Sequence, residues 1–298
     1  TYAKNSTGIQ AALAACSAQG GGVVFLPTGT YPRTAQIHIP SNCHLKGAGI
    51  GATIIQVAAG SIAPTDADDT ASILAAGPSA GTHYSNASSG SNIMISDMTL
   101  DGNYTAFPAW DAGADWTPFP TCINIIFVDG LRVHNVEMKN SFNDGIHIHW
   151  SRNSTIRDNY IHAVGKSAIT SSRNGISFQG GEYAAWNKNH LASGNTVTDI
   201  GDEGIVCSNC LETNIESNDI FGFEEYGIEI TDSDGVDRVM YGVNLINNKI
   251  HDIGGQQYSQ GINWAPNANN TRGCSIIGNS MYNIGHTPMY ISRFDDGV

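Results

Sequence analysis

Positive charge is scarce in this chain: 14 of its 298 residues are Lys or Arg, against 27 Asp and Glu, leaving a net charge of −13 with His neutral. Nucleic-acid backbones are gripped by clustered Lys and Arg, so this balance argues against a nucleic-acid partner. Charged residues of both signs make up only 14%, well below the roughly 25% of an ordinary globular chain. Hydrophobic residues reach 41%, too many for a disordered tail. Long apolar runs are also missing, and none approaches the roughly 18 residues of a membrane-spanning helix. Cysteine is limited to six irregularly spaced residues, with one Cys-x-x-Cys at Cys207 and Cys210. A zinc site normally wants a second such pair, so neither metal nor cofactor is expected. Cys207 and Cys210 read instead as a local disulfide or as two buried thiols.

Glycine is plentiful, at 34 residues, which points to many turns and few long helices. Asn-x-Ser/Thr sequons stand at Asn5, Asn86, Asn103, Asn153 and Asn269, and the chain opens on Thr1 rather than Met. Together these features suggest a processed, secreted, glycosylated protein. They leave disulfide pairing and oligomeric state open.

Internal repetition is the strongest signal. Five segments share one register, beginning at Asn159, Asn195, Asn218, Asn248 and Asn279, and four of them end in Gly six residues later. An apolar residue stands three before the Asn in four of them: Ile156, Ile215, Leu245 and Ile276. A second set follows Gly-apolar-x-apolar: Gly145–Ile148, Gly175–Phe178, Gly204–Cys207, Gly227–Ile230 and Gly261–Trp264. Short strands of period two cannot bury a face alone, whereas stacked turns of chain bury a continuous core. The chain is therefore expected to be one all-β domain over 1–298, a single-stranded right-handed parallel β-helix with coils of about 22 residues. Each repeated Asn is placed at a bend, in the left-handed region, bonding the next coil.

The beginning is different. Gly8–Cys16 has helical spacing, with Ile9, Leu13 and Cys16 on one face, and Gly20–Tyr31 reads as strand and turn. Residues 1–31 are thus a capping helix and first strand, shielding an otherwise open solenoid end. Residues 58–92 and 103–121 read as loop excursions.

Gly8-Ile-Gln-Ala-Ala-Leu, Gly20–Tyr31 and Leu45-Lys-Gly-Ala-Gly49 resemble the N-terminal cap and first coils of the pectin-lyase-like β-helix superfamily. The resemblance implies that fold over nearly the whole chain and action on a polysaccharide, although some members are phage tailspikes or noncatalytic. Met98-Thr-Leu-Asp-Gly-Asn103 and Thr155-Ile-Arg-Asp158 are similar to mannuronan C5-epimerase catalytic modules, whose Asp-x-His pair moves protons. The corresponding place here holds His147-Ile-His149. Asn143-Asp-Gly-Ile-His-Ile148 resembles the Asn-Thr-Asp-Gly motif of polygalacturonase-type hydrolases, which maps its catalytic Asp onto Asp144. Gly201-Asp-Glu-Gly-Ile205 looks like that family's acid pair, lying further along the chain.

Alternation supplies a site without any family. In each Gly-apolar-x-apolar strand the apolar pair points inward and the residue between them outward. The outward columns read His147, Ser177, Val206, Glu229, Asn263 and then His149, Gln179, Ser208, Thr231, Ala265. The residues before the glycines read Asp144, Asn174, Glu203, Tyr226, Gln260. Candidate catalytic residues are Asp144, His147, His149, Asp202, Glu203 and Glu229. Two coils separate Asp144 from Glu203, roughly 9.6 Å at the usual strand spacing. That is the upper edge of the separation that admits a water between two carboxyls of an inverting glycosidase. Lys166 and Arg173 could neutralise a uronate, Gln179 could bind sugar hydroxyls, and Trp110, Trp116 and Trp150 could stack on sugar faces. Asp101 is either a turn residue or a cleft wall. A chain this acidic favours a neutral or weakly charged glycan. Hydrolysis is the expected chemistry. The alternatives are a lyase or epimerase using His147 and His149, and a noncatalytic adhesive solenoid.

Overall fold

The computed structural model describes residues 3–61, 72–77, 90–106, 121–165, 173–180, 186–232, 240–253, 259–266 and 271–292. One helix, α1 (Ser6–Ala18), precedes a long succession of short parallel strands. Asn5 caps it, its side chain accepting the Gly8 N–H at 2.9 Å. Ile9 and Leu13 are buried, while Cys16 is half-buried. The helix packs on the first strands, Gly22–Phe25, Ile37–His38 and Cys43–Lys46, as the cap reading requires.

Successive coils stack into a right-handed parallel β-helix. One column is a nine-stranded sheet that includes Ile146–His149, Ile176–Gln179, Ile205–Ser208, Tyr226–Thr231 and Gln260–Ala265. A 16-stranded sheet supplies the other walls, because the long strands Gly90–Asp101 and Val128–Ser141 run through two strand columns that are separate in later coils. Ile146, Ile148, Ile176, Phe178, Ile205, Cys207, Ile228, Ile230, Ile262 and Trp264 all point inward and are fully buried. A disulfide joins Cys207 to Cys210. Among the described residues no helix is long and apolar enough to cross a membrane.

The repeated asparagines are interior residues. Asn159, Asn195, Asn218 and Asn248 are 3% exposed or less. The left-handed conformation falls one residue earlier, at Asp158 (φ 55°), Gly194, Ser217 (φ 56°), Asn247 and Gly278. The bend expected at the Asn is therefore made by its predecessor. That kink turns the Asn inward, where its amide spans two coils. The Asn195 Oδ1 accepts both the backbone N–H and the side-chain amide of Asn159, at 3.1 and 2.9 Å, and its own Nδ2 donates to the Ile156 carbonyl at 2.9 Å. Asn218, Asn248 and Asn279 repeat the pattern. The closest repeat, Asn195 to Asn218, is 23 residues long.

The glycine column has a different cause. A Cβ on Gly204 would lie 2.6 Å from the Gly227 carbonyl oxygen, so a side chain would push adjacent coils apart. Within residues 58–92, read as a loop, strand Leu74–Ala76 joins the nine-stranded sheet and strand Gly90–Asp101 begins. Leu74-Ala-Ala is buried throughout and shows no alternation that the sequence could advertise. The second excursion, 103–121, contributes a short 3-10 turn at Tyr104–Ala106; its remainder lies mostly outside the described residues.

Replacing Asn218 by Ala strips the shared acceptor from two buried donors of Asn195. We expect about 3 kcal/mol of destabilisation in urea unfolding, while Glu216→Ala on the outer face of the same coil stays within about 0.5 kcal/mol.

Candidate active site

The predicted columns are those of the structure. His147 pairs in register with Ser177, Ser177 with Val206, Val206 with Glu229 and Glu229 with Asn263. His149, Gln179, Ser208, Thr231 and Ala265 form the next outward column. Asp144, Asn174, Glu203 and Tyr226 stack above one another, since the N–H of each following glycine bonds the carbonyl of the next coil's residue.

Asp144 is completely buried. Its Oδ1 accepts the Asn174 N–H at 2.7 Å, and its Oδ2 lies 3.3 Å from His147 Nδ1. Burial pushes His147 down to about 4, against a smaller opposing pull from Gln179. The ring is thus neutral near pH 7, with Nδ1 facing the carboxylate and Nε2 carrying the lone pair. His149 meets the His147 ring edge-on at 4.0 Å and contacts Gln179 Oε1 through Nε2 at 3.0 Å. The half-buried Trp150 continues this wall, 5.2 Å from His149 and 5.0 Å from Phe127.

Below the histidines the face turns acidic. Carboxylate oxygens of Asp202, Glu203 and Glu225 lie within 4.8 Å of one another. Burial pushes Glu203 up to about 10, reinforced by Asp202, Glu229 and Glu225. Asp202 rises to about 7 through burial and its bond with Glu225, opposed by Arg173. Glu229 also rises to about 7 through burial, although Asn263 donates to its Oε1 at 3.1 Å. Tyr226 is driven to about 12 by burial and the surrounding carboxylates. An Arg173 guanidinium nitrogen stands 3.9 Å from both Asp202 and Glu224. The donor set of Asp202, Glu203 and Glu225 is of the oxygen type that suits a hard cation, but mutual repulsion is answered here by protonation and by Arg173.

Sequence reasoning missed Glu225. Its signal was the repeat beginning at Asn218, which ends in Glu224-Glu225 where the other four segments place Gly. Asp101 does not belong to this face. It lies on the 16-stranded sheet in register with Gln56 and Lys139, and its oxygens accept from Gln56, Asn103 and Asn140. It therefore shapes the turn rather than walling the cleft. Lys166, Trp110 and Trp116 lie outside the described residues.

Residues 3–224 match the family model described as rhamnogalacturonase A/epimerase, pectate lyase-like. The chain belongs to that family. Its members are polysaccharide-active enzymes. Mannuronan C5-epimerase AlgE2 of Azotobacter vinelandii is 38% identical over 106 residues, a match that covers 33% of this chain and 9% of the epimerase. The chain therefore accounts for only a small part of that relative's length. Among solved structures, the surface adhesin PfbA of Streptococcus pneumoniae superposes with a TM-score of 0.65 at 14% identity, over 97% of this chain and 90% of the adhesin. An exopolygalacturonase of Thermotoga maritima does so with a TM-score of 0.56 at 14% identity, over 99% and 91%. At such identities these two structures speak to the fold alone.

The acid cluster has a thermodynamic signature. Asp202, Glu203 and Glu229 have folded pKa values above their unfolded ones, so the folded state holds more protons and loses stability as pH rises. The loss begins near the unfolded carboxyl values, is complete near 7 for Asp202 and Glu229, and continues to about 10 for Glu203. Glu203→Gln should therefore raise Tm at pH 9 and leave it nearly unchanged at pH 4, as calorimetry would show.

Proposed function

We propose that the chain hydrolyses glycosidic bonds of an extended glycan lying along the outer face of the nine-stranded sheet. The observation that carries this reading is the divergence of two neighbouring carboxyls on that face. Glu203, held up to about 10, keeps its proton at neutral pH, and Glu229, near 7, is poised to lose it. Such a split is what acid and base roles require of chemically similar side chains. Glu203 donates its proton to the bridging oxygen as the bond to the anomeric carbon breaks. Glu229 takes a proton from the water whose oxygen replaces the leaving group.

Asp144 has a supporting part in this scheme. Its complete burial keeps it from touching sugar, so it positions His147 through Nδ1. His149 and Gln179 then offer polar groups to sugar hydroxyls, with His147 behind them and Trp150 as a stacking edge. The carboxyl-rich wall favours a neutral or weakly charged chain over a polyanion, because an anionic substrate would meet repulsion from Glu225 and Asp202. A polysaccharide of this kind implies an extracellular site of action.

A second reading rests on the Asp144–His147 contact and on the likeness to the epimerase. A His147 backed by the Asp144 carboxylate is the kind of pair with which a uronate lyase or epimerase moves a proton, once a side-chain shift opens the buried Nε2.

A glycan panel scored for new reducing ends tests the first reading. Glu203→Gln and Glu229→Gln should each lower kcat/KM by about 10²–10⁴, and the wild-type profile should be a bell with limbs near 7 and 10. Product with ultraviolet absorbance from an unsaturated uronate, lost in His147→Ala but retained in Glu203→Gln, would replace it with the second.

A further inference from the structure

Two cysteines that take no part in the acidic face meet at the other end of the molecule. Cys16 lies in the last turn of α1 and Cys43 opens strand Cys43–Lys46, 27 residues later, yet their sulfurs are 3.5 Å apart. The backbone around them is tied down from both sides. The Cys16 carbonyl accepts the Gly21 N–H at 3.0 Å, and the Gly22 N–H donates to the Asn42 carbonyl at 3.0 Å. Gly22 stands in register with Cys43. A Cβ there would lie 3.6 Å from the Cys16 sulfur, an ordinary contact distance, which places this sulfur directly beside the strand pair. Cys43 is buried, whereas Cys16 is half-buried and within reach of a reagent.

We propose that Cys16 and Cys43 form a second cystine, which closes the first coil into a covalent ring beneath the capping helix. Bringing the sulfurs to bonding distance, about 2.05 Å, asks for side-chain rotation while the hydrogen-bonded backbone stays in place. The oxidant is a disulfide, either of a small molecule such as oxidised glutathione or of a thiol oxidoreductase. The Cys16 thiolate attacks one of its sulfurs, forming a mixed disulfide and releasing one thiol. The Cys43 thiolate then attacks Cys16, forming the new S–S bond and releasing the second thiol. Two thiol protons and two electrons leave the protein, and one disulfide bond of the oxidant becomes two thiols.

The gain is specific to a solenoid. A terminal coil has only one neighbouring coil, so opening begins at the ends. The loop closed here contains strands Gly22–Phe25, Gly29–Arg33 and Ile37–His38. Fraying of that coil is what a ring opposes.

The test uses the full chain refolded with reduced and oxidised glutathione, then denatured in guanidinium with iodoacetamide and no reductant. Of the six cysteines, Cys122 and Cys274 alone should be alkylated, and trypsin should release Asn5–Arg33 linked to Thr34–Lys46. Four alkylated cysteines, with only Cys207 and Cys210 protected, would overturn the proposal. Its mechanical part is tested in Cys43→Ser, whose far-UV spectrum reports whether the fold is kept. Amides of Gly22–Phe25 should exchange at least about tenfold faster than in the oxidised wild type. Equal exchange in a folded variant would refute the clamping role even where the cystine forms.

Discussion

Everything in this molecule depends on the hydrogen bonding of each coil to the next. No coil has a core of its own, because its inward side chains become buried only when another coil covers them. The parallel backbone ladders supply most of this adhesion, and the buried asparagines add a second, side-chain link at the same corner of each turn. Asn159, Asn195, Asn218 and Asn248 have traded water for amide partners on both sides, so each is satisfied only while its neighbours remain in register. A slip by one residue would bury unpaired amides and turn the isoleucines outward.

That same register builds the acidic wall. Asp144 and Glu203 are 59 residues apart in the chain but occupy equivalent places two coils apart. Glu203 and Glu229 share a face only because Gly204 and Gly227 let their coils approach closely. Gathering Asp202, Glu203, Glu225 and Glu229 on one half-buried face opposes folding, since burial and mutual repulsion both disfavour their charges. The regular coils above and below offset this cost. Irregular functional groups can thus be held on a regular scaffold without spoiling its stacking, because they replace residues that face outward.

Much of this was legible in the amino-acid sequence because the repeat has two independent markers. Asn with an apolar residue three before it, and Gly followed by alternating apolar residues, fixed the coil boundaries and the outward columns residue by residue. The conformation of the Asn was not legible. Bends at Asp158, Ser217 and Asn247 precede it, and polar residues that tolerate left-handed backbone carry little distinguishing pattern. Glu225 escaped because it sits in a turn rather than in a period-two strand. Asp101 was left between a turn and a cleft wall, because the two kinds of aspartate look alike until their hydrogen-bond partners are known. The complete burial of Asp144 was not legible either, because it depends on neighbours distant in the chain.

The asparagine row also gives the interior a polarity. In every link the Nδ2 of one coil points to the Oδ1 of the following coil, from Asn159 through Asn279. The amide dipoles therefore lie head to tail along the axis, and each polarises the next. The row has unlike ends, with acceptor oxygen at its start and donor nitrogen at its finish. A coil inserted upside down would set like ends against each other, so duplication of whole coils can lengthen such a protein in only one orientation.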